Sequence, residues 1–141
     1  MILPDVNVLL YAYRDKSPRH GEYREWLGRI VDGDEAFGLP DVVLSGFLRI
    51  VTHPGIFTPP STLEDAIVFS EAIRRSPVCT IVRPGAHHWG IFLDLCRRAS
   101  ARGNLVTDAY LAALAIESGS EWITTDGDFA RFPGLRWRRP F

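Results

Sequence analysis

Lysine is almost missing from this chain: Lys16 is the only one among 16 basic residues. A G-x-x-x-x-G-K-[ST] phosphate loop is therefore absent, and so are G-x-G-x-x-G and G-x-S-x-G, which leaves common nucleotide folds and serine hydrolases without an anchor. Cysteine is scarce too. Cys79 and Cys96 form no CxxC pair and no zinc spacing, and they read as small buried hydrophobes in a reducing compartment. No apolar run approaches a membrane span. The first apolar stretch lacks a basic leader and is interrupted by Asp5 and Asn7, so a cytoplasmic location is expected, with no signal peptide. Net charge is only −1 and 46% of residues are hydrophobic, which excludes a disordered chain. A length of 141 residues suits a single domain, 1–141, with a sizeable core and no need of staples.

What the chain does have is alternation of strand and helix signals. Strands are expected at Ile2–Val6, Ala36–Leu39, Thr80–Val82, Trp122–Thr125 and Leu135–Arg138. Helices are expected at Arg19–Val31, from Pro40 to about Val51, at Thr62–Arg75, Pro84–Ala101 and Thr107–Ser118. The centre of the last of these is nearly all apolar, so it lies inside the molecule. The proline-rich stretch His53–Ser61 is a rigid connector. This order predicts an α/β fold: a three-layer α/β/α sandwich around a mostly parallel sheet of four or five strands. In such sheets the ligand site lies beyond the carboxyl ends of the strands.

That rule gathers carboxylates. Asp5 closes the first strand, Asp126 closes Trp122–Thr125 with Asp128 two residues on, and Asp108 opens the buried helix. Two carboxylates ~5 Å apart repel by roughly 3 kcal/mol at an effective dielectric of 20, so a proton or a cation must relieve them. Oxygen ligands without His or Cys partners select Mg²⁺ or Mn²⁺. A bound Mg²⁺ activates water and stabilises charge on a phosphodiester, which points to hydrolysis of a nucleic-acid backbone. Any one of these aspartates alone is more often a turn former or a helix cap; their joint placement makes the site.

Three segments carry a family resemblance. Asp5-Val6-Asn7-Val8-Leu9-Leu10-Tyr11-Ala12, Asn104-Leu105-Val106-Thr107-Asp108-Ala109-Tyr110-Leu111-Ala112-Ala113-Leu114-Ala115 and Ile123-Thr124-Thr125-Asp126-Gly127-Asp128-Phe129 together resemble PIN domains, in order and spacing, across essentially the whole chain. The chain is most similar to VapC-type toxins of type II toxin–antitoxin pairs. The resemblance implies a Mg²⁺-dependent endoribonuclease acting on cellular RNA, a homodimer, and neutralisation by a cognate antitoxin. It makes Asp5, Asp108 and Asp126 metal ligands or members of the charge cluster, Asn7 and Thr124 supporting polar groups, and Asp128 an extra acid. There is one departure. PIN domains usually carry a Glu where Gly46 stands, and the nearest acid, Asp41, is five residues earlier and about 140° away on a helix. The usual fourth carboxylate is then either missing or supplied by Asp41 or Asp128.

Other readings stay open on the sequence. Asp5 could be the nucleophile of a phosphatase or phosphotransfer domain, although Lys16 is badly placed to assist. Arg136, Trp137, Arg138 and Arg139 could make a non-catalytic RNA-binding module by phosphate contact and stacking. The acids could also be merely solubilising. Arg97, Arg98 and Arg102 read as a solvated face, and His20, His53, His87 and His88 as solvated or capping histidines.

Overall fold

The computed structural model describes residues 1–141. Five strands form one parallel sheet: β1 (Ile2–Pro4), β2 (Phe37–Pro40), β3 (Cys79–Val82), β4 (Glu121–Ile123) and β5 (Trp137–Arg138). Their spatial order is β3-β2-β1-β4-β5, with Pro4 opposite Ile123 and Pro40 opposite Val82. The chain first moves outward from β1 to β2 to β3 and then returns past β1 to β4. Right-handed crossovers in opposite directions put the two helix sets on opposite faces. On one face lie α1 (Val6–Tyr13), α2 (His20–Val31), α3 (Asp41–Val51) and α4 (Leu63–Arg74); on the other lie α5 (His88–Arg98) and α6 (Asn104–Glu117). The expected three-layer architecture is present, with every strand pair parallel.

Three departures from the sequence expectations have physical causes. The strand starting at Ile2 ends at Pro4, and the apolar run after it is α1, a helix that the sequence pattern does not announce. Asp5 ends one and starts the other: it has extended backbone, and its side chain accepts the Val6 N–H. Helix α6 begins at Asn104 rather than Thr107, so Asp108 sits one turn inside it and not at its mouth. Helix α5 begins at His88 rather than Pro84, because the Glu117 carboxylate at the end of α6 accepts the Gly85 and His87 N–H groups at 2.6 and 2.9 Å and holds that segment open as a cap.

The core sits on both faces of β1 and β4. Leu3, Leu9, Phe37, Leu39, Phe47, Trp122 and Ile123 are fully buried, and α6 buries Ala109 and Leu111 through Ala115. Tyr23, Trp26 and Leu27 of α2 and Ile73 of α4 belong to this core. Gly38 has no room for a side chain: a Cβ there would strike Leu3 and Val82, which keeps β2 tight between its neighbours. His88 is not solvated. It is buried, its Nε2 lies 3.0 Å from the Tyr110 carbonyl, and its ring centroid is 4.4 Å from that of Tyr110, which locks α5 to α6. His20 likewise starts α2 with Nδ1 2.8 Å from the Tyr11 carbonyl. No helix is long and apolar enough to cross a membrane.

Candidate acidic nuclease site

The site is built where β1 and β4 end side by side. The Asp5 N–H donates to the Ile123 carbonyl at 2.9 Å, which extends the ladder by one residue. Past that point both strands break. Asp5 turns into α1, and Thr124 leads through Asp126 into a 3₁₀ helix, Gly127–Arg131, whose entry the Asp126 carboxylate caps by accepting the Asp128 N–H at 2.9 Å.

Thr124, fully buried, is the hub. Its hydroxyl donates to Asp5 Oδ2 at 2.6 Å and accepts from the Asn7 side-chain amide at 3.1 Å and from the Asp126 N–H at 3.0 Å. Asn7 also donates to Asp5 Oδ2 at 3.1 Å, and its Oδ1 accepts the Thr125 N–H at 3.4 Å. With the Val6 N–H on Oδ1 at 2.7 Å, both Asp5 oxygens are held in one orientation. A β-branched residue in a strand looks like sheet filler, so this role of Thr124 has no composition signal of its own.

The electrostatics are those of an uncompensated acidic pocket. Burial, together with the nearby Asp126 charge, pushes the Asp5 carboxyl up to about 6, against the pull of the Thr124 and Val6 hydrogen bonds. Asp108 is also pushed up to about 6, by burial first and then by Asp126, Asp5 and Asp128, with no hydrogen bond or cation offsetting them. Four aspartates far apart in sequence therefore feel one another. Asp41 is not among them; it pairs with Arg74 at 3.0 Å on the exposed side of α3 and α4. Gly46 does point at the site's border. A Cβ there would lie 3.1 Å from Val6 Cγ2, beside the residue that follows Asp5. Gly46→Glu is expected to tighten divalent-metal binding and to keep stability within about 1 kcal/mol, since the gain in helix propensity offsets a small shift of Val6. Thermal melts with and without Mg²⁺ check it; a collapsed fold would make Gly46 a packing residue only.

As the side chains stand, no group of three or more His, Cys, Asp or Glu is arranged to hold a metal ion. The donors nonetheless suit Mg²⁺, which keeps several waters and takes only one or two carboxylates directly. The donor set is all oxygen, and its charge has no internal counter-ion. An apolar-lined cleft of about 480 Å³ lies elsewhere, between α1, α2 and α4, and none of the four acids lines it.

The PIN-domain family model matches residues 2–135. The chain belongs to the PIN-domain family. Over 140 residues this PIN domain is 44% identical to ribonuclease VapC43 of Mycobacterium tuberculosis, covering 99% of the chain and 95% of the relative. It is 41% identical over 140 residues to ribonuclease VapC25 of the same species, covering 99% of each. Among solved structures, its fold resembles a chain of VapBC2 from Rickettsia felis, bound to a DNA fragment from their promoter, with a TM-score of 0.73 at 19% identity and coverage of 99% and 98%.

Proposed function

We propose that this PIN domain is a Mg²⁺- or Mn²⁺-dependent endoribonuclease, the toxin of a type II toxin–antitoxin pair, cleaving cellular RNA in the cytoplasm. The observation that carries the reading is the mutual crowding of Asp5, Asp108 and Asp126, two of them held near 6 with no cation to relieve them. Asp5, Asp108 and Asp126 would hold the metal between them, one or two directly and the rest through its waters, and Asp128 would lend further negative charge at the border. When bound, the metal activates a water and stabilises charge developing on the phosphodiester. Thr124 and Asn7 aim the Asp5 carboxylate, and Asp126 is aimed by the turn it caps. The relatives named ribonucleases support the reaction class.

A cognate antitoxin and a second copy of the chain complete the proposed assembly. The VapBC2 neighbour supports the first; the exposed Leu63 and Val68 on α4 offer apolar surface for the second. An antitoxin arginine reaching the acidic pocket would form charge-assisted, bidentate bonds and block the metal.

The phosphotransfer reading lacks its lysine. Lys16, the only one in the chain, lies past the far end of α1, roughly 12 Å of helix from Asp5. The RNA-binding module keeps only Arg139 as an exposed cation whose side chain has no partner. The Arg136 side chain donates to the Gly119 carbonyl at 2.7 Å, Arg138 pairs with Glu121 at 3.1 Å, and Trp137 packs on the core.

One assay decides. RNA incubated with purified protein should be cut with Mg²⁺ or Mn²⁺ and left intact with EDTA, and expression without an antitoxin should arrest growth. Intact RNA in Mg²⁺ and normal growth under strong expression of folded protein would sink the proposal.

A further inference from the structure

An acidic pocket repels the phosphate backbone it is meant to cut, so cations must lie beside it without filling it. The ion pairs of the fold engage Arg19, Arg29, Arg74, Arg75, Arg98 and Arg138. Arg97, Arg102 and Arg131 take part in none of them, and all three are exposed. Arg98, next to Arg97, is by contrast paired with Asp94 at 3.0 Å.

The fold brings these three to one place. Helices α5 and α6 pack against each other and are joined by the turn 99–103, so the end of α5 that carries Arg97 meets the start of α6, with Arg102 in the turn. Arg131 closes the 3₁₀ helix that follows Asp126, and its Nη2 donates to the Ala99 carbonyl at 3.3 Å. That bond pins the segment after Asp126 to the turn before Asp108. Arg102 stands six residues before Asp108 and Arg131 five after Asp126. Arg102 lies in the turn two residues before α6, and the 3₁₀ segment from Asp126 to Arg131 spans roughly 10 Å. The three arginines therefore sit on the segments that lead into Asp108 and away from Asp126, joined by the Arg131–Ala99 bond, and none of them is in ion-pair contact with a carboxylate.

We propose that Arg97, Arg102 and Arg131 form a phosphate-binding ridge that lays a single RNA strand across the Asp5–Asp108–Asp126 site; the inference rests on the ribonuclease reading. The guanidinium fork matches phosphate oxygens, and phosphate contacts position a strand without reading its sequence. Arg138 is excluded from this ridge because Glu121 neutralises it, and Arg136 because its side chain reaches back to the Gly119 carbonyl, before β4 begins. The sequence cluster 97–102, expected to be a solvated face, acquires a role only through the bond that Arg131 makes with it.

The test is binding of a mixed-sequence single-stranded RNA, long enough to span about two site lengths, in EDTA and over a range of salt. Each arginine withdrawn from a phosphate should lower the log–log salt slope by about 0.7. Arg97→Gln/Arg102→Gln should therefore lower it by about 1.4 and raise Kd about tenfold or more at low salt. Arg131→Gln should act in the same direction, with an unfolding midpoint measured beside it because the side chain also holds Ala99. In Mg²⁺ the double variant should raise KM and leave kcat within about twofold, the signature of weakened uniform binding. Arg75→Gln is the control: its side chain is 80% exposed, just before β3 at the far edge. An unchanged slope in the double variant, or an equal fall in the control, overturns the ridge. If the parent still cuts RNA, only the ridge falls. If the parent neither binds nor cuts RNA in Mg²⁺, the ribonuclease reading falls and takes the ridge with it.

Discussion

Asp108→Asn is expected to abolish RNA cleavage, a loss of at least about 100-fold, and to leave the metal-free protein as stable as the parent or more so. The two effects have one cause. Asp108 sits one turn into α6, pushed up to about 6 by burial and by Asp126, Asp5 and Asp128. Removing its charge relieves that crowding and keeps the shape. The gain is small, up to about 1 kcal/mol, since half of the group faces solvent and is screened. Mg²⁺ binds only the folded state and should raise the parent's melting temperature; it should raise the variant's far less. Paired thermal melts with and without Mg²⁺, plus one cleavage assay, read all of this. A variant that is strongly destabilised yet cleaves at the parent rate would make Asp108 a structural residue, and the metal would then have to be held without it.

How far this site can be read from the chain depends on which forces leave a local mark. Asp5 and Asp126 are legible because a carboxylate that ends an apolar strand punctuates the pattern, and parallel pairing of β1 with β4 then sets the two side by side. Asp108 is legible as an acid near the start of an apolar helix, but its depth is not, since Asn104 to Thr107 suit a loop as well as a first turn. Helix α1 escapes the sequence because a short apolar run does not reveal its period; only the Asp5 cap, seen in three dimensions, decides it. Glu117 capping α5, buried His88 against Tyr110 and Arg131 reaching Ala99 are contacts between distant segments. Such contacts follow from how the layers pack, and no window of sequence contains both partners. Gly46 is the converse case: the absence of an acid is plain from the residue, but that the position faces Val6 at the edge of the site comes only from the fold.

Without metal, the protein is expected to be more stable at pH 5 than at pH 7, and added Mg²⁺ should reverse that order. Asp5 has a folded value of about 6 against an ordinary 3.8. Between those values the folded state holds a proton that the unfolded state has released, so stability falls as pH rises through the window and levels off above it. A shift of that size corresponds to about 3 kcal/mol over the whole window for a buried group, of which about 1 kcal/mol falls between pH 5 and pH 7. Asp108 adds to the slope in the same direction, less strongly because it is half-exposed. Glu22 and Glu117 work the other way, held below their ordinary value of 4.5 by Arg19 and by the Gly85 N–H, so their loss of stability lies at lower pH. Mg²⁺ competes with protons for the same carboxylates, so its stabilising effect should grow from pH 5 to pH 7. Urea unfolding at both pH values, in EDTA and in Mg²⁺, gives the four midpoints needed. A metal-free protein that gains stability from pH 5 to pH 7 would mean that the acids are relieved by some internal partner, and that Asp5 is buried for the sake of the β1–α1 junction rather than for a cation.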